Sequence, residues 1–315
     1  MGLFRKRKTQ RASRMNIKPP APEEGRHGLA IVLIVKDEED YLQDWLTFHA
    51  AAGVRHIFVY DNGSTDRTAE IARDFKGCNT TVISWVFDLS VSKPEMVLPR
   101  QILCYCHAIS NFGGGYRWMA FIDVDEFLVP RGRVSIPDAL DGLAGFTNLS
   151  VPWVMFGHNG HASTPADPVP YAFTKRAREL SGPLLNFKCI VDPCDVTQVS
   201  THKFRTNAMQ GRSANTKGET AENKRRTGDF VTTEVLQLNH YYLLSEEEMR
   251  RKMERGGVSG VENSRRREAI SEKAALIELS PQKDLSAVEF LNCTGVADAG
   301  SFRDLYARHG EEVEG

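Results

Sequence analysis

The sequence predicts an α/β fold built on a mostly parallel central sheet flanked by helices, and three observations predict it. Strand-like and helix-like stretches alternate with short connections from Leu29 to Asp123, the pattern of βαβ units. The first strand-like stretch is a continuous apolar run, as expected of a strand covered on both faces. Three of the strand-like stretches end in polar clusters, and ligands in open α/β sheets bind beyond the carboxyl ends of the strands.

Taken in order, "LAIVLIV" from Leu29 is of strand length and rich in β-branched residues. "EEDYLQDWLTFHAAAG" follows with acids in its first turn, Leu42, Trp45, Leu46 and His49 at helical spacing, and Gly53 as a stop. "RHIFVYD" is a second strand and "STDRTAEIARDF" a second helix; "TVISWVF" is a third strand and "LPRQILCYCHAIS" a third helix, ended by Asn111 and three glycines. "RWMAFID" is the fourth strand. Beyond residue 130 the pattern turns irregular and mixed. "IPDALDGL" reads as a short helix, and "NLSVPWVMFG", "FKCIVDP", "VTQVSTHKF" and "EVLQLNHYYLL" as strands. From "SEEEMRRKMERGG" onward the chain reads as charged helix.

The 315 residues allow one large domain or two small ones, and 41% hydrophobic with 26% charged residues is ordinary for a globular protein. A net charge of −1 gives no global field for nucleic acid, and no nucleic-acid partner is expected. The charge is uneven, however. "MGLFRKRKTQRASRMNIK" is basic and contains no acid, which suits a solvated tail or a weak contact with an anionic membrane surface. No apolar run approaches the roughly 20 residues that cross a bilayer. The six cysteines form no CxxC pair. A cytoplasmic location is expected, with the tail able to touch the inner membrane face.

The polar rim carries the chemistry. Asp123 and Asp125 in "FIDVDEF" are two residues apart, a spacing that puts both carboxylates on one side of an extended segment. They fit an acidic turn capping the next element, or a pair that shares a hard divalent cation. "YDNGSTDRTAEI" is either a well-made strand–turn–helix junction or a nucleotide contact through Asp61.

Together these stretches resemble family 2 glycosyltransferases with the GT-A fold, nearest to the branch containing family 92 and its bacterial relatives. The matching residues are "IVLIVKDEEDYLQDWLTFHAAAGVRHIFVYDNGSTDRT", "WMAFIDVDEFLVP", "WVMFGHNGH", "FKCIVDP", "THKF" and "LNHYYLLSEEEMRRK", in order from Leu29 to Lys252. The resemblance implies a metal-dependent transfer of a sugar from a nucleotide donor, UDP-linked, to an acceptor hydroxyl in bacterial surface glycan assembly. It implies Mn²⁺ or Mg²⁺ as cofactor and a carbohydrate or lipid-linked acceptor. Lys36, Asp37, Glu38, Asp61, Asn62, Ser64, Arg100 and Gln101 stand where such enzymes meet the nucleotide, and Lys188 and His202 where they meet phosphates. Asp123 and Asp125 form the Asp-x-Asp motif, and His240 stands where a late metal ligand falls. It reads equally well as a satisfied strand histidine. Trp153, Phe156 and His158 are expected on the acceptor side, where aromatics in a strand are otherwise core residues. Glu126 is the candidate base, although in a strand it would point away from Asp125.

The expected organisation is a basic disordered tail over 1–27, a catalytic domain over 28–245 and a helical extension over 246–315. The domain divides into a nucleotide half (28–130) and an acceptor half (131–245), with a flexible loop over 205–229. Two other functions fit an acid-rimmed α/β sheet. A nucleotidyltransferase would need a Gly-rich basic loop after the first strand, where this chain has "KDEED"; a nucleotide-sugar-binding module without turnover is the other.

Overall fold

A computed structural model describes residues 10–92, 95–222, 225–254 and 263–307. In chain order, β1 (Gln10–Arg11) and β2 (Met15–Asn16) precede β3 (Leu29–Val35), α1 (Glu39–Ala51), β4 (His56–Asp61), α2 (Thr68–Asp74) and β5 (Asn79–Ser84). A hairpin of β6 (Leu89–Ser92) and β7 (Glu95–Leu98) leads to α3 (Arg100–Phe112), β8 (Trp118–Phe121), β9 (Glu126–Pro130) and α4 (Ile136–Asp141). The second half contains β10 (Asn148–Met155), α5 (Val169–Ala172), β11 (Lys175–Arg176), β12 (Phe187–Val191) and β13 (Val196–Val199). It continues with β14 (Arg205–Thr206), β15 (Ser213–Ala214), β16 (Thr220–Ala221) and β17 (Leu236–His240). Last come α6 (Glu246–Glu254), α7 (Asn263–Glu278), β18 (Gln282–Lys283), α8 (Ser286–Cys293) and α9 (Ala299–Ala307).

The central sheet runs β16-β15-β10-β12-β8-β3-β4-β5, with β17 joining β10 to β9. Strands β8, β3, β4 and β5 are parallel neighbours, as the strand–helix alternation predicts. Antiparallel β12 joins it to the mixed half. Six of the seven residues of β3 are buried, so its apolar continuity reflects cover on both faces. One core lies under α1, where Trp45, Leu46 and Phe48 pack with Phe127 and Leu128; a second lies under α3, where Ile102, Tyr105 and Ile109 pack with Phe121.

Three expectations change. The segment expected as a disordered tail to residue 27 is tied down from Gln10: β1 pairs with β7, β2 pairs with β13, and the Arg26 guanidinium donates to both Asp192 oxygens at 2.6 and 2.7 Å. Residues 1–9, with most of the basic charge that suggested a membrane contact, lie outside the described residues. The 205–229 stretch is no bare loop, since it carries β14, β15 and β16 and buries Asn215 and Ser213. Arg225 anchors its end by donating to Ser150 Oγ and to the His202 carbonyl, both at 2.9 Å. The C-terminal extension packs on the body: β18 pairs with β11, and Phe290 of α8 meets Phe48 edge-on at 5.4 Å. Among the described residues, no helix is long and apolar enough to cross a membrane.

Candidate functional site

The ends of β3, β4 and β8 share one rim because the parallel register aligns Val35 with Asp61 and Val32 with Phe121. A cleft of about 570 Å³ opens there, lined by Lys36, Glu38, Asn62, Arg100, Gln101, Asp123, Asp125, Trp153, His202 and His240. Arg11, Tyr242, Glu248 and Lys252 also line it, and the sequence reading named none of these four.

The acidic motif is a turn rather than an extended segment. Strand β8 ends at Phe121, and the Glu126 amide donates to the Asp123 carbonyl at 3.0 Å. The turn is pinned by the Tyr241 amide on the Asp125 carbonyl (2.8 Å) and by the Trp45 indole on the Glu126 carbonyl (2.7 Å). Each carboxylate then meets a different cation. Asp123 accepts from Lys188 Nζ at 2.7 Å and from the Gln101 amide at 3.1 Å. Asp125 Oδ2 accepts from Lys252 Nζ at 3.1 Å and lies 3.3 Å from His240 Nε2. Burial would raise the Asp125 carboxyl, but Lys252 and His240 outweigh it and hold it well below the usual carboxylate range. Burial lowers His240 against the pull of Asp125, so its imidazole is neutral at neutral pH.

Glu126 differs from its expected role. Its side chain is fully buried, its Oε2 accepts from the Asp123 amide at 2.8 Å and sits 3.2 Å from Lys188 Nζ. Burial, reinforced by Asp123 and Asp125, pushes its carboxyl up. A group so enclosed cannot touch an acceptor hydroxyl, so Glu126 positions the turn. Lys188, expected at the phosphates, is 1% exposed and committed to Asp123 and Glu126, which hold it protonated against its burial. His202 reaches the cleft, and burial together with Lys188 lowers it to about 4.

The nucleotide-side residues also divide. Asp37 has a left-handed backbone (φ 54°) and accepts from the Thr65 amide at 2.7 Å, while Ser64 Oγ accepts from the Asp37 amide at 3.1 Å. Asp61 caps its own turn, accepting from the Ser64 amide at 2.9 Å. Asp37, Asp61 and Ser64 therefore lace the two loops together behind the cleft. Asn62 faces it, accepting from Arg100 Nη1 at 2.6 Å. Of the residues expected on the acceptor side, Trp153 lines the cleft, edge-on to His202 and His240. Phe156 does not: it is fully buried against Tyr241 at 4.8 Å, because its place after β10 points into the core under α1. His158 faces Glu278 at 3.7 Å, in a separate depression with Glu246 and Glu247.

A divalent ion suits part of this arrangement. Among the described residues, no three His, Cys, Asp or Glu side chains gather around one point, because Lys188 draws Asp123 aside. Asp125 Oδ2 and His240 Nε2, 3.3 Å apart, are spaced as two ligands of one ion about 2.1 Å from each can be. On the far side of the ring, His240 Nδ1 is buried without a partner, 4.0 Å from the equally unpartnered Glu126 Oε1. Were a cation to displace the Nε2 proton that faces Asp125, the carboxyl on this side could receive the proton's hydrogen bond at Nδ1 and leave Nε2 to ligate. The donor set fits a hard or borderline cation that completes its coordination with phosphates and water.

Comparisons with known proteins agree on the family. The sequence profile of Glycosyltransferase family 92 matches residues 33–271. A family 92 glycosyltransferase of Ricinus communis is 28% identical over 155 residues, 48% of this chain and 26% of that protein. Another from Oryza sativa subsp. japonica is 24% identical over 155 residues, 48% of this chain and 25% of that protein. The chain thus spans about a quarter of the length of the curated relatives it matches. These relatives are plant proteins, and they lend no support to a bacterial surface-glycan role. A solved glucosyl-3-phosphoglycerate synthase of Mycobacterium tuberculosis, in complex with Mn²⁺, UDP and glucosyl-3-phosphoglycerate, is 17% identical. It covers 41% of this chain and 44% of that one, with a TM-score of 0.28.

Proposed function

The chain belongs to glycosyltransferase family 92, and on that premise we propose that it transfers a sugar from a UDP-linked donor to an acceptor hydroxyl with the help of Mn²⁺ or Mg²⁺. The observation that carries this reading is the Asp123–Asp125 turn opening into the same cleft as Asn62 and Arg100. Asn62 and Arg100, already bonded to each other, receive the nucleoside at the sheet end. Asp125 and His240 would hold the metal, which when bound would supply Lewis-acid neutralisation of charge on a leaving diphosphate. Lys252, freed from Asp125, and His202 add polarity to the same place. Trp153 offers an apolar face to the acceptor. Of the carboxylates lining the cleft, Glu38 and Glu248 lie outside the acidic turn, and removal of the acceptor proton falls to one of them.

The acidic "KDEED" beside the cleft disfavours a triphosphate and with it the nucleotidyltransferase reading. A panel of nucleotide sugars incubated with the protein and Mn²⁺ tests the proposal through UDP release. Metal-dependent release from one donor supports transfer. Tight UDP binding with release from none would make the chain a binding module.

A further inference from the structure

Helix α7 is charged over much of its length, yet Ile270, Ala274 and Ile277 fall on one stripe that packs into the core, with Ile270 and Ile277 3% and 0% exposed. Lys273 falls on that stripe too, three residues after Ile270 and one turn before Ile277. Its Nζ lies 5.1 Å from the centre of the Tyr242 ring and 5.8 Å from that of Trp153, and both rings line the cleft. Lys252 Nζ sits over the same Tyr242 ring at 4.2 Å. The helix is held in this position: Glu278 Oε1 accepts from the His158 amide at 2.9 Å, an approach that leaves no room for a Cβ on Gly157.

The charges around Lys273 are unbalanced. Lys252 is matched by Asp125, whereas among the described residues no carboxylate lies within ion-pair distance of Lys273. Partial burial, then Lys252 and Arg226, lower its pKa, and only the exposed Glu272 opposes them. Gathering cations at a half-buried place costs free energy unless an anion joins them.

We propose that Lys273, with Lys252 beside it, is an anion-binding wall on the C-terminal side of the cleft, taking a phosphate or carboxylate of a bound substrate docked on Trp153 and Tyr242. The proposal rests on the glycosyltransferase reading and extends it to the substrate class. The anion belongs to an acidic acceptor or to the donor's diphosphate. The position of Trp153 and Tyr242, on the mixed half rather than beside Asn62 and Arg100, favours the acceptor.

Calorimetric titrations of the full chain with UDP plus Mn²⁺, and then with sulfate as a phosphate stand-in on the UDP-loaded protein, test this in wild type, Lys273→Met and Lys273→Arg. Unchanged thermal midpoints certify folding. The expected result is that Lys273→Met weakens sulfate binding about 10- to 100-fold, the size of one charge-assisted hydrogen bond, while UDP affinity holds and Lys273→Arg restores most of the loss. A loss of that size in UDP affinity instead assigns the wall to the donor. Sulfate and UDP affinities both unchanged in Lys273→Met would overturn the proposal. Wild type that binds no UDP would sink the glycosyltransferase reading, and the sulfate titration of the unloaded protein would still decide on Lys273.

Discussion

The two walls of the cleft handle charge in opposite ways. On the sheet side, Lys188 from β12 is 1% exposed and shares Asp123 with Glu126, itself fully buried. On the helix side, the Lys252 side chain from α6 is 31% exposed and holds Asp125 from outside. Lys188 and Glu126 are enclosed and fix the shape of the acidic turn, while Asp123, which shares Lys188 with Glu126, still reaches the cleft. The outer pair is reached from the cleft through Lys252, so a metal can take the place of the ammonium on Asp125 and a phosphate the place of the carboxylate on Lys252. Two carboxylates two residues apart thus keep different company, Asp123 with a buried lysine and Asp125 with an accessible one and a histidine.

The largest expected effect comes from the outer wall. Asp125→Asn keeps the turn and its size but removes the charge, and we expect turnover to fall about a thousandfold or more, with a thermal shift smaller than that of an inner-wall variant. A thermal shift as large as that of an inner-wall variant would erase the distinction. The inner wall should respond in stability: Lys188→Met leaves Asp123 and Glu126 facing each other uncompensated, and denaturant titration should show a loss of about 3–5 kcal/mol. Lys252→Met should do the reverse. We expect it to weaken UDP binding in the presence of Mn²⁺ about 10- to 100-fold, with a smaller loss of stability than Lys188→Met. The smallest effect concerns the support beneath the inner wall. His49 lies in the core of α1, its Nδ1–H donating to the Trp45 carbonyl at 2.8 Å and its Nε2 accepting from the Leu128 amide at 3.2 Å. Burial lowers its pKa to about 3 from an ordinary 6.5. The folded state therefore requires the neutral ring, so its contribution is complete above the ordinary value and is lost as pH falls below it. Between about pH 6.5 and pH 5 wild type should lose roughly 2 kcal/mol more than His49→Gln, read by urea titration.

The same contrast governs what was legible in the sequence. The inner frame is written locally. "LAIVLIV" became β3 at the same residues, and the polar ends of β3, β4 and β8 gathered because parallel register leaves them no other edge. What faces what within that rim was not legible. Asp37 reaches across to Thr65 of the next loop and Asp61 caps its own turn at Ser64, engagements that one dimension does not announce. Phe156 and His158 follow Trp153 by only a few residues, yet one enters the core and the other leaves for Glu278, since β10 ends at Met155 and its alternation no longer governs them. Lys252 arrives on a helix 127 positions beyond Asp125, and Lys273 on another that brings it to the Trp153 and Tyr242 rings, and no periodicity announces such meetings. A lysine on the apolar stripe of α7 was the one signal on offer. Likewise, the basic segment before residue 27 reads as a tail until Asp192, 166 positions beyond Arg26, is brought beside it.

The central claim is that Asp125 and His240 grip a divalent ion carrying a nucleotide's phosphates. Calorimetric titration of UDP into wild type and into His240→Ala, with Mn²⁺ and then with EDTA, tests it most directly. The account predicts UDP binding that requires Mn²⁺ in wild type and weakens at least about tenfold in the variant. Equal UDP affinity in EDTA and in Mn²⁺ would contradict it.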